Sequence, residues 1–69
     1  MYLIIDCDMT WPSCILGQVD KSSKAKDICL QLNKKYGYDT KKYNVKATFE
    51  DVEEERAAVY CCIKVNKYN

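Results

Sequence analysis

A chain of 69 residues can close around one hydrophobic core and no more, because a domain of this size buries only roughly 60% of the surface that its unfolded form exposes. One domain spanning residues 1–69 is the expected organisation. A deep catalytic cleft would draw on the same few apolar side chains as the core, so function belongs on the outer surface. The chain is 48% hydrophobic, with two Gly and one Pro, which separates it from disordered and low-complexity segments. A core this small supplies about 3 to 5 kcal/mol, and a homodimer is one way of adding to it.

Hydrophobic periodicity sets the elements. In residues 2–9, Leu3, Ile5, Cys7 and Met9 alternate with Tyr2, Ile4, Asp6 and Asp8, the period of a half-buried strand. Trp11-Pro12 ends that strand, and residues 10–20 read as a loop, apolar enough to fold over an end of the core. Ala25, Ile28, Cys29, Leu32 and Tyr36 follow the spacing of an amphipathic helix over about 22–36. Asp20, Ser22 and Ser23 are its candidate N-caps. Gly37 stands where a left-handed residue closes a helix, and Lys34 and Lys35 complement the last turn. Tyr43, Val45, Ala47 and Phe49 make a second alternating run, and Ala57 to Val65 a third. The expected fold is α+β, in the order β-α-β-β, with a three-stranded, mainly antiparallel sheet and one helix packed on one face. The acidic stretch between the last two strands reads as a hairpin tip, with a turn or more of helix over Asp51 to Ala58 as the competing reading.

Net charge is only +1, so no overall field recruits nucleic acid or a membrane. Its distribution is uneven. Eight lysines against two aspartates lie between Lys21 and Lys46, whereas Glu50, Asp51, Glu53, Glu54 and Glu55 crowd five carboxylates together before Arg56. No apolar run approaches the roughly 20 residues of a spanning helix, and the first residues lack the pattern of a secretory signal. A cytoplasmic, reducing location is therefore expected, with the odd number of cysteines, five, present as free thiols.

The same residues argue against an enzyme. The chain contains no histidine to serve as a positioned base. Cys7, Cys29 and Cys61 fall on inward faces, where an apolar site raises a thiol pKa, and Cys14 and Cys62 are the ones expected nearer the surface. The cysteines lack the paired spacing of structural zinc sites. Asp6 and Asp8, on one strand face, could approach a magnesium ion, but solvated polar residues explain them more simply. No catalytic residue, metal or cofactor is expected.

Three surfaces are candidates for binding a partner. If the helix covers the side bearing Leu3, Ile5, Val45, Phe49, Val59 and Ile63, then Tyr2, Ile4, Tyr60, Cys62 and Tyr68 are left facing outward, a patch that a second copy or another protein would cover. The stretch from Lys34 to Lys46 interleaves cations with Tyr36, Tyr38 and Tyr43 around Lys41 and Lys42, a combination that tracks phosphates and stacks bases. The acidic cluster Glu50, Asp51, Glu53, Glu54 and Glu55 would dock on a basic surface.

In its size, its β-α-β-β order from Tyr2 to Val65 and the opposed charges of Lys34 to Lys42 and Glu50 to Glu55, the chain resembles the stand-alone, single-domain inhibitors encoded by phages and other mobile elements, anti-CRISPR proteins among them. That resemblance implies stoichiometric occlusion of a host nucleic-acid-processing enzyme, such as a CRISPR-Cas effector, through charged and aromatic contacts. The alternative is a small nucleic-acid-binding protein that uses the Lys34 to Lys46 patch directly.

Overall fold

The computed structural model describes residues 1–66. The elements run β1 (Tyr2–Asp6), β2 (Ile15–Val19), α1 (Ser22–Tyr36), β3 (Asn44–Ala47), α2 (Phe49–Glu53) and β4 (Ala57–Lys64). The α+β class stands, but the sheet has four strands rather than three, in the order β2-β1-β4-β3. The extra strand is β2, inside the segment expected to be a loop. It pairs antiparallel with β1, from Tyr2 opposite Val19 to Ile5 opposite Ile15, with Leu16 as an extra residue that breaks the register.

β4 occupies the interior of the sheet, antiparallel to β1 and parallel to β3. The parallel pairing replaces the expected hairpin. Between β3 and β4 the acidic stretch forms α2, started by a reciprocal cap in which Thr48 Oγ1 accepts from the Asp51 amide at 3.1 Å and an Asp51 carboxylate oxygen accepts from the Thr48 amide at 3.0 Å. Such a capping box satisfies two amides that a helix start leaves without partners. It favours a helical turn here over a tight reversal, which lets the chain cross over and re-enter the sheet in the same direction. Phe49, expected in the second strand, is thus a half-exposed residue of α2.

α1 spans the residues that its apolar spacing marks. Its N-cap is Lys21, which makes no side-chain capping bond, so none of Asp20, Ser22 and Ser23 takes that role. Its C-terminus closes at Gly37, whose φ of 78° is left-handed. There the Gly37 amide donates to Lys34 at 3.3 Å and the Tyr38 amide to Asn33 at 2.8 Å, using carbonyls that the helix end would strand.

α1 covers the sheet face opposite to the one expected. Ala25 and Cys29 pack with Ile4, Val45, Ala58 and Cys62, flanked by Tyr2, Val19, Ile28, Leu30 and Leu32. The small side chains Ala25, Cys29, Ala58 and Cys62 let the helix approach the sheet closely. Ile5, Cys61, Ile63, Ala47 and Cys14 form the core on the other face, closed by Val52 of α2 and by Leu3, Cys7, Ile15, Ala57 and Val65. Both faces are therefore covered, and the bare Tyr2, Ile4 and Tyr60 surface that motivated a homodimer is absent: Ile4 is 4% exposed. Tyr68 lies outside the described residues. No helix among the described residues is long and apolar enough to cross a membrane.

Candidate functional site

Among the described residues, the one fully buried polar side chain in the core is Asn33, 0% exposed. It explains how the surface near the end of α1 is built. Along the β3–β4 pair, Asn44 stands opposite Ala57 and Lys46 opposite Cys62, so two steps in β3 match five in β4 and the intervening part of β4 bulges from its partner. A bulge leaves backbone groups without ladder bonds. Asn33 supplies them: its Oδ1 accepts from the Tyr60 amide at 3.1 Å, and its Nδ2 donates to the Tyr60 carbonyl at 2.7 Å and to the Cys29 carbonyl at 2.8 Å. The side-chain amide thus stands in for a strand partner. The spacing Ala25, Cys29, Asn33 places all three on one helix stripe, the signal in the sequence that could have marked this residue.

Asn33 fixes two tyrosines at once, since its backbone carbonyl anchors Tyr38 and its side chain anchors Tyr60. The Tyr60 ring stacks on Tyr36 with centroids 5.6 Å apart and meets Tyr38 at 5.9 Å. Lys35 Nζ lies 5.3 Å from the centre of the Tyr36 ring, in cation–π range. Burial, with Asp6 and the neighbouring tyrosines, raises the Tyr60 phenol above its ordinary pKa. Tyr36 and Tyr38 remain largely exposed. Of the five residues expected to form an outward patch, then, Ile4 and Cys62 lie in the core, Tyr2 is half-buried beneath α1, Tyr60 is half-buried in an aromatic cluster at the end of α1, and Tyr68 lies outside the described residues.

Beside that cluster lies an open groove of about 460 Å³, lined by Tyr38, Asp39, Tyr43, Cys7, Asp8, Val52, Glu55, Ala57 and Val59. Three carboxylates and two tyrosines meet there, and no lysine or arginine is among the lining residues. Short local bonds shape its rim: the Asp8 amide donates to Asp6 Oδ1 at 3.0 Å and the Lys41 amide to Asp39 Oδ1 at 2.7 Å, while Glu55 adopts a left-handed φ of 59° after α2. Tyr43 also lines a second groove, which carries Lys26 and Lys46, so acidic and basic surfaces meet at one side chain. Sequence spacing singled out Tyr38 and Glu55 as partner contacts, but weighed Asp8 only as a magnesium ligand beside Asp6 and did not join it to Asp39. These come from separate turns that only the fold brings together.

The acidic cluster is less free than its composition suggests. Arg56 Nε bonds to Asp51 Oδ1 at 3.0 Å, and its terminal nitrogens lie 3.9 Å from Glu50 and from Glu54. Bonds from the Thr48 amide and from Arg56 hold the Asp51 carboxyl below the ordinary carboxylate range. Glu53 stays exposed on α2, Glu54 and Glu55 follow it, and Lys41 and Lys42 are exposed in the turn before β3.

The thiols also differ from expectation. Cys14 and Cys62 are buried along with Cys29 and Cys61, and Cys7 alone is half-exposed. Cys7 Sγ stands 3.6 Å from Cys61 Sγ. The bond with Cys61 holds the Cys7 thiol below its ordinary range, against burial and the charges of Asp6 and Asp8. That same bond, then burial, pushes the Cys61 thiol up. Burial pushes Cys29 up to about 12 and raises Cys62 as well. Among the described residues, no group of three or more Cys, Asp or Glu side chains is arranged to hold a metal ion. Comparison with protein-family models, with curated proteins and with solved structures gives no match to this chain.

Proposed function

We propose that this chain is a non-catalytic binding protein that seats a basic segment of a protein partner in the groove between Tyr38, Tyr43, Asp8, Asp39 and Glu55. The observation that carries the reading is the convergence of three carboxylates and two aromatic walls without a cation among the lining residues. A lysine or arginine side chain entering there meets complementary charge and an aromatic face. Exposed Glu53 and Glu54 beside the groove would steer such a segment toward it. Enzymes that handle nucleic acid carry channels lined with such cations, which makes them the partner class that fits. The biological role that follows is stoichiometric occlusion of such an enzyme in the cytoplasm, in the manner of the mobile-element inhibitors that the chain resembles.

The test is fluorescence anisotropy with two probes, an arginine-rich peptide and a single-stranded DNA oligonucleotide, across a salt series. The peptide is expected to bind, and the combined variant Asp8→Asn, Asp39→Asn, Glu55→Gln to lose it. Titration into an RNA-guided nuclease reaction is then expected to abolish cleavage at one chain per enzyme.

A second reading is favoured by Lys35 over Tyr36 beside the exposed Tyr38. There the Lys34, Lys35, Lys41 and Lys42 cations flank rings that bases could stack on, as in a small nucleic-acid-binding protein. DNA binding that falls steeply with salt and disappears in Lys41→Ala, Lys42→Ala, while the peptide does not bind, would replace the first reading with this one.

A further inference from the structure

The mouth of the groove holds one nucleophile that partner docking does not use. Cys7, just past the end of β1, lines the groove, and Cys61 lies behind it, 0% exposed and 3.6 Å away, sulfur to sulfur. Cys7 continues the line of β1 alongside β4: its amide bonds to the Val59 carbonyl at 2.8 Å, which places Cys61 two residues along β4 on the same face. One thiol is half-exposed, and the other is fully buried with its sulfur against the first.

We propose that Cys7 and Cys61 form a reactive dithiol in which Cys7 attacks a low-molecular-weight disulfide, of the glutathione disulfide class, and Cys61 resolves the resulting adduct. In the first step the Cys7 thiolate bonds to one sulfur of the incoming disulfide, whose S–S bond breaks and releases one thiolate. In the second, Cys61 gives up its proton, which that thiolate takes, and attacks Cys7 Sγ. The mixed disulfide breaks, the second small thiolate leaves and takes from water the proton that Cys7 lost on ionising, and a Cys7–Cys61 bond remains. The chain is oxidised by two electrons and the small disulfide reduced to two thiols. Cys61 lies on the core side of Cys7 and the adduct on the groove side, which suits the roughly linear arrangement of three sulfurs that exchange requires. The thiol pair supports the order of events as well, since the Cys61 hydrogen bond favours the thiolate on Cys7. Closing the bond brings the sulfurs to about 2.05 Å, a movement that the turn residue Cys7 can make more readily than the interior strand residue Cys61.

Incubating the folded chain with oxidised glutathione, followed by intact mass and peptide mapping, tests this. The wild type is expected to lose two hydrogens and to show one link, Cys7 to Cys61. Cys61→Ser and Cys61→Ala are both expected to stop at one glutathionyl group on Cys7. Cys7→Ser is expected to consume the reagent at least about tenfold more slowly. In urea, where burial is lost, the selectivity for this pair is expected to vanish. A link between any other pair in the folded wild type, an adduct first at Cys14, Cys29 or Cys62, or a Cys7→Ser variant reacting at the wild-type rate would each overturn the proposal. The wild-type map decides even where a Cys61 variant fails to fold. None of these readouts depends on a partner, so their failure leaves the groove reading untouched.

Discussion

Replacing Asn33 by leucine removes the polar bridge between α1 and β4 while nearly preserving volume. Its cost can be worked from three hydrogen bonds of 2.7, 2.8 and 3.1 Å. The Cys29 carbonyl sits inside α1 and keeps its place in the helix ladder, so that loss is slight. The Tyr60 amide and carbonyl are different, because the bulge in β4 leaves them no strand partner. Each orphaned group costs about 1 to 3 kcal/mol, and the leucine returns roughly 1 kcal/mol of added hydrophobicity. The net loss is about 1 to 5 kcal/mol, set against about 3 to 5 kcal/mol for a domain of this size. In urea, with a slope near 1 kcal/mol per molar for so small a chain, the unfolding midpoint followed by far-UV circular dichroism should fall by about 1 to 5 M, which toward the upper end of that range leaves the variant partly unfolded in buffer. Asn33→Asp keeps an acceptor for the Tyr60 amide but turns a donor into a second acceptor facing two carbonyls, and should be comparably damaging. If Asn33→Leu shifts the midpoint by less than about 1 M at unchanged slope, then Tyr60 is satisfied by other means and the strand-substitute account is wrong.

Gly37→Ala should lower stability by about 1 kcal/mol, since its φ of 78° disfavours a side chain by that order, and chemical denaturation measures it. Thr48→Ala removes the cap of α2 and should cost about 1 kcal/mol, with the loss seen first as faster amide exchange at Asp51 and Val52. Asp51 has a folded pKa below its unfolded one, near 3.8. Its contribution is therefore complete above that value and is lost as pH falls through the folded pKa. An acid titration of wild type against Asp51→Asn should show a shallower decline below about pH 4 in the variant, and parallel curves would contradict the capping role.

Signals confined to a few neighbouring residues were legible in the sequence. α1 was readable at both ends because its apolar spacing and Gly37 are local, and β1 and β4 because alternation is local too. β2 was hidden by its composition: Leu16, Gly17 and Gln18 are exposed on an edge and carry little alternation. The side of the sheet that α1 takes was not readable, since Leu3 and Ile5 are as apolar as Tyr2 and Ile4, and period two cannot choose between faces equally rich in carbon. The size of the side chains could have chosen, because Ala58 and Cys62 face a helix line of Ala25 and Cys29. The parallel return of β4 follows from Thr48 and Asp51, a capping pair three residues apart, whereas the competing helical reading rested on the composition of Asp51 to Ala58 and did not draw on that pair. The groove was the least legible part. Cys7 and Asp8 lie more than thirty residues before Glu55, and no spacing rule relates them.

Among the described residues β4 follows every other strand, yet it is the strand that joins the β1–β2 pair to β3. Until it arrives there is no single sheet: β1 lacks its second neighbour, β3 has none, and Asn33 has nothing to bridge. The groove shares that dependence, because Ala57 and Val59 line it from β4 while Cys7, Tyr38 and Tyr43 wait on segments made earlier. During synthesis such a fold gains little from its early portions and assembles nearly all at once when β4 is released. A truncation before Ala57 would accordingly abolish folding altogether rather than trim one edge from a working protein.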